Sequence, residues 1–236
     1  MMNNIALPLV PSTPVTPTIT LGTVYTKTPV ALAEVTIQVN TLATITFPLP
    51  VLEIKDIKKR LKITEGRLIL PTNKLFLSGF VRKNIQYATP TGGNTKEVTS
   101  TIQSFTIDLP FSAVTDLTGK YLTAPVLPKG NSRAEVEYFT STALPPSFPA
   151  KDRLLAGDLS EFNQVSTEYF NELPYCELIS ATYTEMDEAL GRVPGTVSGV
   201  ATPPFEEGTY SSVQEKMVID ITLKVLQLQQ IRVTSA

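Results

Sequence analysis

Two groups of carboxylates are the residues of this chain best suited to acid–base or metal chemistry: Glu185, Asp187 and Glu188, and Glu206 with Glu207. Paired carboxylates serve glycoside hydrolysis, and oxygen-rich clusters hold calcium. Both groups lie beside Gly/Pro-rich stretches and neither has the ligand spacing of a calcium loop, so both are expected to be solvated loop charges. Nucleophilic designs fare worse. A serine or cysteine nucleophile normally hands its proton to a histidine, and the chain has none. Its one cysteine, Cys176, excludes an intramolecular disulfide and, without histidine, leaves no Cys/His set for zinc, copper or haem. Gly92 and Gly93 are followed by no Lys-Ser pair and no helix, so they form no phosphate loop. A self-made amide between lysine and asparagine side chains is the remaining chemistry. Lys83 and Asn84 are neighbours on opposite faces of a strand and cannot make it, and no other pair stands out. No catalytic, metal or cofactor residue is therefore assigned, and the chain reads as non-enzymatic.

The elements around these groups are strands. Threonine and aliphatic residues dominate, tryptophan is absent, and 19 prolines punctuate the sequence without forming a tract. The organising segment is Lys74–Tyr87. Leu75, Leu77, Val81, Ile85 and Tyr87 share one parity, opposed by Lys74, Ser78, Arg82, Asn84 and Gln86, which is the period of a half-buried strand. Phe76 and Phe80 interrupt the polar face, as in a central strand of a two-layer structure. Gly79, at its middle, marks a bulge, a bend from one sheet to the next or a close backbone approach.

Val35–Phe47 alternates as clearly, and Pro48 and Pro50 are expected to end it. Between Val51 and Ile69 the apolar phase slips from even to odd positions, which a bulge near Asp56 explains. Lys55, Lys58, Lys59, Arg60, Lys62 and Arg67 lie here without interleaved aromatics or a nucleic-acid-binding signature, and read as strand-edge gatekeepers. No nucleic acid is expected. Val98–Leu109 pairs with the organising strand as a hairpin. Residues at about 110–172 read as an irregular insertion, with one short helix candidate over Asp158–Asn171. Tyr175–Tyr183 and Lys216–Leu228 complete the strands, with Cys176 as a small buried hydrophobe. The expected fold is all-β, an antiparallel β-sandwich with at most one short helix.

Residues 1–29 differ from the rest. Pro8, Pro11, Pro14 and Pro17 recur at the polyproline II period among Leu7, Leu9, Val10, Val15, Ile19, Leu21 and Val24. Such a segment has no internal hydrogen bonds and leaves apolar surface uncovered, so it reads either as a frayed terminal tail or as an arm that adds a strand to a neighbouring subunit, the reading that the family resemblance given below favours. A single β domain, 30–236, follows. Its start, MMNNIALPLVP, has no basic n-region, and the chain has no apolar run of bilayer length, so neither export by a signal peptide nor a membrane span is expected. Residues 1–150 hold 14 Lys/Arg against 9 Asp/Glu, and residues 151–236 hold 6 against 13. Two sheets that neutralise each other account for that split.

KLFLSGFVRKNIQYAT, with VALAEVTIQV and IKDIKKRLKITEGRLI upstream and VQEKMVIDITLKVLQLQQIRV downstream, resembles the SPOCS-type domain of spore coat and exosporium proteins in Clostridia and Bacilli. It is most similar to the CsxC-like clostridial exosporium family, over roughly Pro29–Ile107 and Tyr175–Val233. The resemblance implies a structural role at the endospore surface, with synthesis in the mother cell and partners that are copies of itself or other coat proteins. Rival readings are a monomeric adaptor for coat assembly and a carbohydrate- or peptidoglycan-binding module. The absence of tryptophan platforms weighs against the last.

Overall fold

The computed structural model describes residues 13–17, 22–143, 145–147, 149, 153–157, 162–204 and 207–234. Among them every regular element is a strand: β1 (Thr23–Val51), β2 (Glu53–Ile69), β3 (Lys74–Gly93), β4 (Val98–Asp116), β5 (Ser132–Val136), β6 (Phe139–Ala143), β7 (Arg153–Gly157), β8 (Asn163–Thr167), β9 (Tyr175–Leu190) and β10 (Tyr210–Thr234). Two compact units result. One is Pro29–Leu228, and the other comprises the chain ends, up to Thr28 and from Gln229. In the end unit the described strand residues are Thr23–Thr28 and Gln229–Thr234.

The larger unit holds two three-stranded sheets, ordered β1-β10-β9 and β2-β3-β4, the second a simple antiparallel meander. One core fills the space between them. Leu75, Leu77, Val81, Ile85 and Tyr87 of β3 are all buried, as are Met217, Ile219, Ile221, Leu223 and Val225 of β10 and Ile37, Val39, Ile45 and Phe47 of β1. The Phe47 ring sits edge-on to Tyr87, centroids 5.0 Å apart, and tilts against Phe105 of β4. The outer face of the β3–β4 pair is polar. Arg82 clamps Asp108 through two 2.8 Å hydrogen bonds and lies over the Phe80 ring, while the Asn84 amide donates to Ser104 and Thr106.

Several sequence expectations need correction. Pro48 and Pro50 do not end β1, which runs on to Val51. The strand lies at a sheet edge, where one side of its ladder is unpaired and a missing N–H is tolerated. For the same reason β4 passes through Pro110 and ends only at Asp116. The short helix is not formed: Asn163–Thr167 is β8, paired with β5, because this threonine- and serine-rich segment finds a strand partner. Asp158, its expected cap, lies outside the described residues. The insertion otherwise makes two small sheets, β5-β8 and β6-β7.

The phase slip in β2 is a bulge, with the register shifting between Ile54 and Asp56. A second shift lies between Ile63 and Glu65, opposite Gly79. Gly79 does not turn β3 into another sheet; it permits a close approach. A Cβ there would meet the Lys62 carbonyl oxygen at 2.2 Å and the Phe111 ring at 3.0 Å. Because the obstacle is backbone, Gly79→Ala is expected to lower unfolding free energy by about 1–3 kcal/mol with an unchanged denaturant m-value. Urea unfolding followed by circular dichroism measures this, and a loss under about 0.5 kcal/mol would show that β2 yields at its bulge.

Candidate functional site

Along the inner face of β3 one charged residue breaks the apolar series. Lys83 falls between Val81 and Ile85 and, like them, is fully buried. Antiparallel register places Lys59 of β2 directly beside it. From the other sheet, β9 turns Glu185 and Asp187 inward, and β10 presents Glu215 between Val213 and Met217. Glu215 and Asp187 are cross-strand partners in the β9–β10 ladder. Two ammonium groups from one sheet therefore meet three carboxylates from the other.

The contacts are direct. Lys83 Nζ donates to Glu215 Oε2 and, at 3.0 Å, to Glu185 Oε2, and it lies 3.7 Å from Asp187 Oδ2. Lys59 Nζ donates to Glu185 Oε1 at 2.6 Å and lies 5.9 Å from the centre of the Tyr183 ring. Lys83 and Glu215 are sealed from solvent, while Lys59, Glu185 and Asp187 keep a slight exposure. Two oxygens of the cluster, Asp187 Oδ1 and Glu215 Oε1, are buried without a hydrogen-bond partner.

Three carboxylates facing two ammoniums leave one negative charge uncompensated if all are ionised. Burial pushes the Asp187 and Glu215 carboxyls above the ordinary range, and in each case the nearby Lys83 offsets only part of that effect. Burial also works against Glu185, but hydrogen bonds from Lys59 and Lys83 outweigh it and hold this carboxyl low. For Lys83 itself burial opposes the charge, and the contacts with Glu215 and Glu185 overcome it and raise its basicity.

Glu185, Asp187 and Glu215 bring one oxygen each within 4.8 Å of one another, a spacing suited to a cation. The Lys83 ammonium already fills that role. Lys83 and Glu215 are sealed from solvent. The chemistry open to the cluster's own members is ion pairing, proton sharing or a reaction between amine and carboxyl.

The expectation that Glu185 and Asp187 are solvated loop charges is thus overturned. They lie within a 16-residue strand, on its inner face, because β9 runs to Leu190 before the Gly191 turn. Glu188 does point outward, 3.7 Å from Lys216. Glu207 is exposed and away from the cluster, and Glu206 lies outside the described residues. Lys58, Arg60 and Lys62 occupy the exposed face of β2, as gatekeepers should, whereas Lys59 does not. Cys176, expected as a buried hydrophobe, is half-buried; it packs beside Gly66, and burial pushes its thiol to about 11, which disfavours the thiolate.

The sequence signal for the site was parity. Lys83 shares the odd positions of Val81 and Ile85, and Glu215 those of Val213, Met217 and Ile219. Of the expected assembly-arm residues, Leu7, Leu9, Val10, Ile19 and Leu21 lie outside the described residues. Val15 is exposed and in no strand, and Val24 is half-buried near the start of β1.

Fold and site together define an all-β protein, a two-sheet framework with a cluster of ionisable side chains between its sheets. No protein-family profile matches the chain, and no solved structure matches it. Exosporium protein C of Clostridium sporogenes (strain ATCC 15579) is 35% identical to it over 237 residues, an alignment covering 96% of this chain and 82% of that protein. The chain belongs to the clostridial exosporium protein C family.

Removing one partner of a buried ion cluster strands the others. Lys83→Met is therefore expected to cost roughly 3–5 kcal/mol, against less than about 0.5 kcal/mol for Lys58→Ala on the outer face. Equilibrium unfolding of both variants checks the contrast. The pH dependence has a definite sign. A carboxyl raised by folding stabilises below its unfolded value and loses that contribution as pH rises through its folded one. Relative to Glu215→Gln, the wild-type chain should lose stability as pH rises above 4.5, with a slope of at most about 1.4 kcal/mol per pH unit. Denaturation midpoints at a series of pH values report it; a wild-type chain that instead loses stability relative to Glu215→Gln as pH falls would show Glu215 to be ionised in the folded state.

Proposed function

We propose that this chain is a self-assembling structural subunit of the clostridial exosporium, its copies joined when the N-terminal segment adds a strand to a neighbour's sheet. The observation that carries the reading is the relationship to Exosporium protein C, together with a sheet edge suited to such addition. Edge strand β4 pairs with β3 alone in its sheet. Its first half, Val98–Ile107, carries no charged residue, and Ile102 is exposed there. By contrast the opposite edge, β2, is guarded by Lys58, Arg60 and Lys62. Thr18–Tyr25 matches the β4 edge in kind, being uncharged and threonine-rich. A strand burying about 600–800 Å² of apolar surface gains roughly 15–20 kcal/mol before ordering and association costs, enough to hold a polymer when repeated.

The SPOCS-type assignment of the domain, deposition from the mother cell without export and association with other coat proteins belong to the same proposal. No helix among the described residues is long and apolar enough to cross a membrane.

Sedimentation and negative-stain microscopy of the full chain, beside a form lacking residues 1–28 and beside Ile102→Lys, test the proposal. Ordered polymers from the full chain, lost in both altered forms without loss of β-sheet signal, are expected. Small particles of identical size from all three would refute arm-driven assembly and favour an adaptor that binds other spore proteins. Antibody labelling of intact spores addresses location separately, since exosporium staining is expected whichever assembly mode holds.

A further inference from the structure

The interior cluster has the parts of a condensation between an amine and a carboxyl. We propose that Lys83 and Asp187 become joined by an intramolecular amide bond, with Glu215 carrying the proton. This goes beyond the assembly reading and does not depend on it.

Geometry divides the roles. Glu215 is in hydrogen-bond contact with Lys83 Nζ and is as deeply buried, so it is the group positioned to take the ammonium proton. Asp187 stands 3.7 Å from Nζ, making no hydrogen bond through its Oδ1, and is held next to Glu215 by strand register. That separation, measured to the carboxylate oxygen, puts the two groups side by side, and attack requires Nζ to close on Cγ to roughly 3–3.5 Å. Glu185 anchors the amine through its 3.0 Å bond and is itself held ionised by Lys59. Val81, Ile85, Val213 and Met217, all buried, flank the site along β3 and β10, and low polarity favours neutral over charged partners.

The step balances without a co-reactant. The Lys83 ammonium gives one proton to the Glu215 carboxylate, leaving a neutral amine. Its nitrogen lone pair attacks Cγ of Asp187, which is in its acid form. The tetrahedral adduct loses a second proton from nitrogen, relayed by Glu215 to the departing hydroxyl, and the Cγ–O bond breaks to release water. The Nζ–Cγ amide remains and Glu215 ends as the neutral acid. Nothing is oxidised or reduced.

The product resolves the imbalance of the starting cluster. One ammonium and two carboxyls become an amide and a neutral acid, and the remaining charges, Lys59 and Glu185, pair with each other. The unpartnered Glu215 oxygen is then the oxygen of an acid beside a new amide. The bond would tie β3 to β9, across the two sheets.

The test is the mass of the purified, folded full-length chain, allowing for removal of Met1. A value below the sequence mass by one water is expected, and tandem mass spectrometry of a tryptic digest should show a branched peptide joining Lys83 to Asp187. Asp187→Ala should restore the sequence mass. Asp187→Asn, nearly the same shape, should lose ammonia in place of water. Glu215→Gln should leave most of the chain unjoined. A folded wild-type chain at its full sequence mass would overturn the proposal, as would a branch at Glu215 or Glu185.

Discussion

The contact between the inner faces of β3 and β10 governs this structure, because both faces are mainly apolar and carry charged side chains at one level. There Lys83 meets Glu215. An apolar interface tolerates small slips, since one leucine contact resembles another. A buried ammonium does not. If β9 slipped by one residue against β10, Glu185 and Asp187 would turn to solvent and Lys83 would lose two of its three partners. The cluster therefore fixes the register of β9 and β10 and the alignment of the two sheets, at the expense of wholly or partly desolvating five ionisable groups.

That arrangement explains the uneven charge of the chain. The basic first half supplies Lys59 and Lys83 on β2 and β3, and the acidic second half supplies the carboxylates on β9 and β10. Complementary charges drawn from opposite halves of the sequence, on strand pairs β2–β3 and β9–β10, favour closure within one chain. The sheet edges are treated differently from one another. β2 carries outward lysines and an arginine, while the start of β4 has only threonine, serine, glutamine and apolar side chains. A protein built only to stay monomeric would be expected to guard both.

Much of the framework was legible in the sequence because a half-buried strand writes its period directly. Leu75 to Tyr87 and Met217 to Val225 declare their faces, and even the bulge at Ile54–Asp56 shows as a slip of phase. Proline was read too strictly: at Pro48, Pro50 and Pro110 the rule against ladder positions does not apply to edge strands, and edge position is a tertiary property. The helix expected over Asp158–Asn171 failed because Leu159, Phe162, Val165 and Tyr169 fit a helical spacing by coincidence, and strand partner β5 lies almost thirty residues away. The site was missed for another reason. A lysine in a strand is ordinarily solvated, and only its parity, shared with Val81 and Ile85, marks Lys83 as internal. Which carboxylates it would meet depends on sheet packing, which no local pattern encodes.

A buried ion cluster demands an explanation beyond stability, since well-packed apolar residues in its place are often as stable or more so. Register specification is one explanation, and a single lysine with a single carboxylate would suffice for it. The cluster holds more than that. Three carboxylates surround two lysines, and two of their oxygens are buried without hydrogen-bond partners. Surplus acid is a burden to a static ion pair and an asset to a reaction that consumes one carboxyl and uses another to move protons. Counting charges therefore favours a cluster arranged for its product, in which one ion pair, one amide and one neutral acid remain.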